Sequence, residues 1–148
     1  MKKPESPHQG IPTEELPDEL DYFDHAAQRL DLKDWLSVAQ VFHPRFVEVS
    51  GCIIWERAYE ENNFNEWYEK LNGDATAVEG ILNQFRLWQL IDIDETSAPE
   101  KGSERALARE ISFFWRAALE SAYPDREFDG GVVDTDDGPV IRFVVRRL

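Results

Sequence analysis

The sequence predicts an α+β fold, with a small antiparallel sheet of about three strands packed against four or five helices. Three observations predict it. Apolar residues recur at helical spacing in several separate segments. Residues 45–56 and 139–147 are instead rich in β-branched residues that alternate as strands do. Between the last two apolar runs stands Asp136-Asp137-Gly138, a turn signal that makes the C-terminal pair a hairpin. The chain has 148 residues, the size of one domain, and five Trp, nine Phe and four Tyr supply a core.

The elements follow in chain order. Residues 1–16 are rich in Pro, Glu and Ser and have no periodicity, so they read as a disordered or loosely attached arm before a single domain, residues 17–148. Pro17 opens a helix with Asp18 and Glu19 in its first turn, where the helix dipole favours acids, and Leu20, Phe23, Ala27 and Leu30 share a face. A second helix over residues 32–41 carries Trp35, Val38, Ala39 and Phe42 as its stripe. Pro44 ends it by forcing His43 out of the helical region.

Residues 46–56 form the first strand. Val47, Val49, Ile53 and Trp55 take one face; Glu48, Ser50, Cys52, Ile54 and Glu56 take a mixed one. Phe64, Trp67, Tyr68 and Leu71 mark a third helix, capped by Asn62 or Asn63 and ended by Gly73. Asp74 caps a fourth over residues 75–91, with Val78, Ile81, Leu82, Phe85 and Trp88 as its stripe. Residues 92–103 read as a polar loop. Ser103 then caps a long helix to about residue 122, with Leu107, Ile111, Phe114, Trp115, Ala118 and Leu119 inward, and Pro124 stops it. Two strands close the chain, residues 127–134 and 139–147.

Charge and composition exclude several functions. The net charge is −14, and the acids dominate the first two thirds of the chain, while residues 101–148 are nearly balanced. Such a field repels nucleic-acid phosphates and anionic lipid and attracts basic proteins. No apolar run is long enough to span a bilayer, and residues 1–17 lack the apolar core of a secretory signal. The single cysteine, Cys52, allows no internal disulfide, so a reducing cytoplasm is the expected location.

One stretch invites a specific chemistry. Residues 125–138, DREFDGGVVDTDDG, hold six acids and three glycines. With Asp125 first, Glu127, Asp129 and Asp136 fall at the first, third, fifth and twelfth positions of a calcium loop, and Gly130 at its sixth. Glu at the third position and Asp at the twelfth are poor matches, and a β-branched run follows where the motif needs a helix. The hairpin uses every residue instead, with a bulge expected at Gly130-Gly131.

No catalytic constellation emerges. Cys52 with His43 or His25 is the one conceivable nucleophilic pair, and a strand Cys beside Ile53 and Ile54 reads as inert core. No histidine or cysteine spacing suits a metal, and no glycine-rich loop opens a helix to cradle a phosphate. No cofactor is expected. Trp35, Trp67, Trp88 and Trp115 fit helical core stripes. Trp55 and Tyr59, which lie past the end of the apolar run, and Arg142 and Arg146, which share a face of the last strand, are the candidate partner contacts.

These readings point to a binding or regulatory protein rather than an enzyme. In size and acidity the chain resembles the bacterial immunity proteins, which neutralise basic toxins; the resemblance rests on charge and size and carries no motif. It implies a basic protein as partner. A DNA mimic or an accessory subunit of a complex belongs to the same class. The alternative from another class is a small enzyme or ligand-binding domain with a pocket between sheet and helices.

Overall fold

The computed structural model describes residues 9–17 and 20–148. The fold is α+β, with five α-helices and two small antiparallel sheets among the described residues. The helices are α1 (Tyr22–Arg29), α2 (Leu32–Phe42), α3 (Glu61–Lys70), α4 (Ala75–Leu82) and α5 (Ala98–Ala122). The strands are β1 (Phe46–Val49), β2 (Cys52–Trp55), β3 (Gln84–Arg86), β4 (Phe128–Thr135) and β5 (Gly138–Val145). Among the described residues no helix is long and apolar enough to cross a membrane.

The expected strand over residues 46–56 is in fact a complete hairpin. Ser50 and Gly51 both have positive φ, 51° and 79°, which is what a type I′ turn needs, and β1 pairs with β2 from Phe46↔Trp55 to Val49↔Cys52. The turn changes which residues share a face. Phe46, Ile53 and Trp55 enter one apolar cluster with Phe85, Leu87, Ile111, Trp115, Ile141 and Phe143. Val47, Val49, Cys52 and Ile54 enter a second with Phe64, Val78 and Leu82. The hairpin is therefore covered on both sides, and the face expected to be mixed is core.

The three-stranded sheet has the order β3-β5-β4. Its third strand is β3, a segment that helical periodicity places inside the fourth helix. That helix stops at Leu82 because Phe85 and Leu87, two residues apart, are the buried pair that follows, while Trp88 is partly exposed. The C-terminal hairpin forms as expected, but without a bulge: the register runs unbroken from Phe128↔Val145 to Thr135↔Gly138. Gly130 serves close approach instead. A Cβ there would lie 2.0 Å from the Arg142 carbonyl oxygen, and its φ is 137°.

α5 begins at Ala98, earlier than expected. Ser97 caps it by accepting from the Glu100 N–H, and Pro99 fits its first turn. Ser103, the expected cap, donates to the Glu15 carbonyl at 2.8 Å, and Arg109 pairs with the Glu15 carboxylate. The 3-10 turn Thr13–Glu15, inside the stretch expected to be a loose arm, is thus tied to α5. Asp21 caps α1, whereas Asp18 and Glu19, expected in its first turn, lie outside the described residues.

One polar residue of α4 and the residue that caps its C-terminus join the sheets. Glu79 and Asn83, one turn apart, are buried between β2 and the end of β5 that β3 is too short to cover. Glu79 accepts from the Ile53 N–H at 2.8 Å and the Val145 N–H at 2.9 Å. Its two oxygens also take the guanidinium of Arg147 at 2.6 and 2.8 Å. Asn83 accepts from the Trp55 N–H and donates to the Ile53 and Phe143 carbonyls. These side chains replace ladder bonds that no strand supplies, so a buried charge is fully satisfied. Arg142 lies over Gly80, donating to its carbonyl at 3.0 Å; a Cβ on Gly80 would meet that guanidinium at 2.3 Å.

Candidate interaction face and adjacent cleft

α1 and α2 bury none of their residues. Their ends are well made: Asp21 accepts from the Asp24 N–H, and Asp31 and Asp34 form a reciprocal capping box. The helices are thus fixed by local sequence, yet they present apolar side chains to water. On α2, Leu32, Trp35 and Leu36 follow helical spacing and are 75%, 47% and 57% exposed; on α1, Tyr22 and Phe23 are each 73% exposed. Trp35 was expected in the core. The stripe divides along its length instead: Val41 and Phe42, in the last turn, pack on the first cluster, with the Phe42 ring edge-on to Phe114, while Trp35, two turns earlier on the same row, is half exposed.

The surroundings of this face are acidic. The described residues of 9–42 hold six Asp and Glu against Arg29 and Lys33. Fully burying one large apolar side chain stabilises by about 1.5–3 kcal/mol, so these five side chains leave a substantial apolar area uncovered.

On another side of α2 lies a cleft of about 890 Å³, within the usual range of small-ligand sites. Ser37, Gln40 and Val41 of α2 form one wall, and Trp55, Phe85 and Leu90 form apolar ground. His43, Arg45, Glu56 and Arg57 supply its charge, with Arg45 and Glu56 paired at 3.2 Å.

The four candidate contacts do not come together. Trp55 is half-buried, its ring 5.0 Å from Trp115 and 5.7 Å from Phe85 between centroids, and its remaining surface lines the cleft. Tyr59 packs on Phe64 in the second cluster. Arg142 covers Gly80. Arg146 pairs with Asp129 and Glu127, and its hydrogen bonds hold the Asp129 carboxyl below the usual carboxylate range. Those pairs also engage two of the carboxylates of the calcium pattern, while Asp136 sits at the opposite end of the hairpin. Among the described residues no three His, Cys, Asp or Glu side chains are placed to hold a metal ion.

Cys52 is fully buried in the second cluster, whereas His43 lines the cleft and His25 is exposed on α1. Burial, and then the Glu79 carboxylate, push its thiol up to about 11. At pH 8 the native protein is therefore expected to resist iodoacetamide and to react once unfolded in urea; intact-mass analysis with time reads this directly. Rapid alkylation of the folded chain would show that the second cluster opens.

The α1–α2 face had a sequence signal that core periodicity concealed. Trp35, Val38 and Phe42 share one row at i, i+3 and i+7, and Leu32 and Leu36 widen the apolar surface beyond it, so α2 carries more apolar residues than one packed face takes. No protein-family model matches the chain, and comparison with curated proteins and with solved structures finds no match either.

Proposed function

We propose that this protein is a binding or regulatory module that acts by docking a basic partner protein on the α1–α2 face. One observation carries the reading: two well-capped helices that bury none of their own residues while displaying Tyr22, Phe23, Leu32, Trp35 and Leu36. Aromatic and leucine side chains of this kind anchor interfaces. The carboxylates around them favour a partner whose apolar contacts are flanked by Lys and Arg, and they speed and orient its approach. Inhibition of a basic protein, as by the immunity proteins the composition resembles, is one use of such a face.

The test compares the tagged wild-type protein with a Trp35→Ser, Leu36→Ser double variant in pull-downs from the source cells, at low and moderate salt. Because Trp35 and Leu36 are each about half exposed, the variant is expected to stay folded at a cost of about 1–3 kcal/mol. Wild type is expected to retain a basic protein that the variant loses, with retention falling as salt rises. Equal retention by both proteins would place the contact elsewhere.

The cleft favours a second reading, a small-ligand site between α2 and the β1–β2 hairpin. A ligand seated there would contact the indole of Trp55, so quenching of tryptophan fluorescence that Trp55→Phe removes would support it.

A further inference from the structure

A second, smaller cavity of about 180 Å³ lies between α5, the tip of the C-terminal hairpin and the segment after β3. Glu104 projects into it from α5 and is about nine-tenths buried. Among the described residues its carboxylate makes no hydrogen bond and no ion pair within 4 Å, and neither oxygen is sealed from the cavity. Burial, and then the Glu95 carboxylate, raise the Glu104 carboxyl above its ordinary range, and the Lys101 ammonium offsets them only in part.

The geometry around this carboxylate is specific. Gly138, at φ 122°, is the point where a Cβ would stand 3.4 Å from Glu104 Oε1 and 3.7 Å from the Trp88 ring. Carboxylate and indole thus converge on one spot that a glycine keeps open. Asp92, Glu95, Asp136 and Asp137 stand exposed around it. Two cations also line the cavity. Arg105 is engaged by Asp134 at 3.2 Å, and Lys101 is exposed on α5.

We propose that this cavity binds an alkyl cation, an ammonium or guanidinium head seated on Trp88 and paired with Glu104. An aromatic face attracts such a cation, and a desolvated carboxylate adds a charge-assisted hydrogen bond. The volume suits a single side-chain-sized group. A metal ion fits less well, because no three of the described carboxylates are placed to share one. The head belongs either to a free amine or to an exposed Lys or Arg of another chain, and the chemistry at Glu104 is the same for both. The inference is independent of the α1–α2 face, which lies on other helices.

The experiment is an NMR titration of the full chain with n-butylammonium and n-butylguanidinium, followed at the Trp88 indole N–H, with a capped Gly-Arg-Gly peptide as a further arm. Saturable binding is expected for at least one of the two small cations. Glu104→Gln, which keeps the side-chain shape, is expected to weaken it about tenfold, the scale of one charge-assisted contact. Trp88→Leu is expected to weaken it about threefold. Glu66→Gln on α3 removes the same charge elsewhere and is expected to change it by less than about twofold. Peptide binding of equal strength would assign the site to a side chain; binding of the small cations alone would assign it to free amines. Shifts that fail to saturate, equal effects of Glu104→Gln and Glu66→Gln in variants with otherwise native spectra, or displacement of the cation by stoichiometric calcium would each overturn the proposal.

Discussion

Replacing Glu79 with alanine is expected to destabilise the protein by about 3–5 kcal/mol, a large share of the stability of a domain this size. Two effects add. The substitution leaves the Ile53 and Val145 N–H groups without an acceptor in a buried place. It also strips Arg147 of its carboxylate partner. The Arg147 guanidinium further donates to the Gly51 carbonyl and to Thr76, so the loss reaches the β1–β2 turn and the start of α4. Urea denaturation followed by tryptophan fluorescence measures the change. Arg147→Met is the informative companion. It leaves the two backbone donors bonded to Glu79 but strands the buried charge, so it too is expected to cost several kcal/mol, while the double variant is expected to cost less than the sum. A cost below about 1 kcal/mol for Glu79→Ala would mean that the two sheets hold together without this staple.

Gly130→Ala is expected to be the second severe substitution, at about 3 kcal/mol or more. The added methyl would fall 2.0 Å from the Arg142 carbonyl oxygen and 2.8 Å from the Phe143 Cα, both backbone atoms of the paired strand. Neither can move without opening the β4–β5 ladder. Gly131→Ala separates this clash from backbone strain. Its φ of 146° is equally unfavourable, but its Cβ would meet only the Ser112 hydroxyl at 3.8 Å. About 1–2 kcal/mol is expected there. Thermal unfolding of both variants reads the difference, and equal costs would show that conformation rather than contact requires Gly130.

The sequence made the fold class and the C-terminal hairpin legible because those features are local. Asp136-Asp137-Gly138 lies between two apolar runs, and the stripe of α5 persists over many turns. What stayed hidden depended on distant partners. Ser50-Gly51 is a turn only because Phe46 and Trp55 can pair and each face finds its own core cluster. Residues 84–86 match a helical period, yet β5 presents an edge that draws them into a strand. Glu79 is one acid among thirty in the chain; only the meeting of β2, β5 and Arg147 makes it structural.

The candidate sites were legible to a different degree. The acidity that points to a basic partner is a property of composition. Trp55 and Tyr59 were singled out as contacts, and both are half-buried in clusters, whereas Trp35, assigned to the core, is exposed. Helical periodicity reports that a residue lies on an apolar row, and it cannot report that the core covers only the last turn of α2, where Val41 and Phe42 pack. Glu104 and Trp88 are far apart in sequence, and the fold brings them together at Gly138.

The central claim is that the α1–α2 face is occupied by a partner, and site-specific photo-crosslinking in the source cells tests it most directly. Benzoylphenylalanine replaces Leu36 on the exposed row of α2 in one variant and Glu66 on α3 in another. The account predicts one discrete adduct from position 36, containing a basic protein, and none like it from position 66. No adduct at position 36, the same adducts from both positions, or an adduct made of two copies of this chain would contradict it.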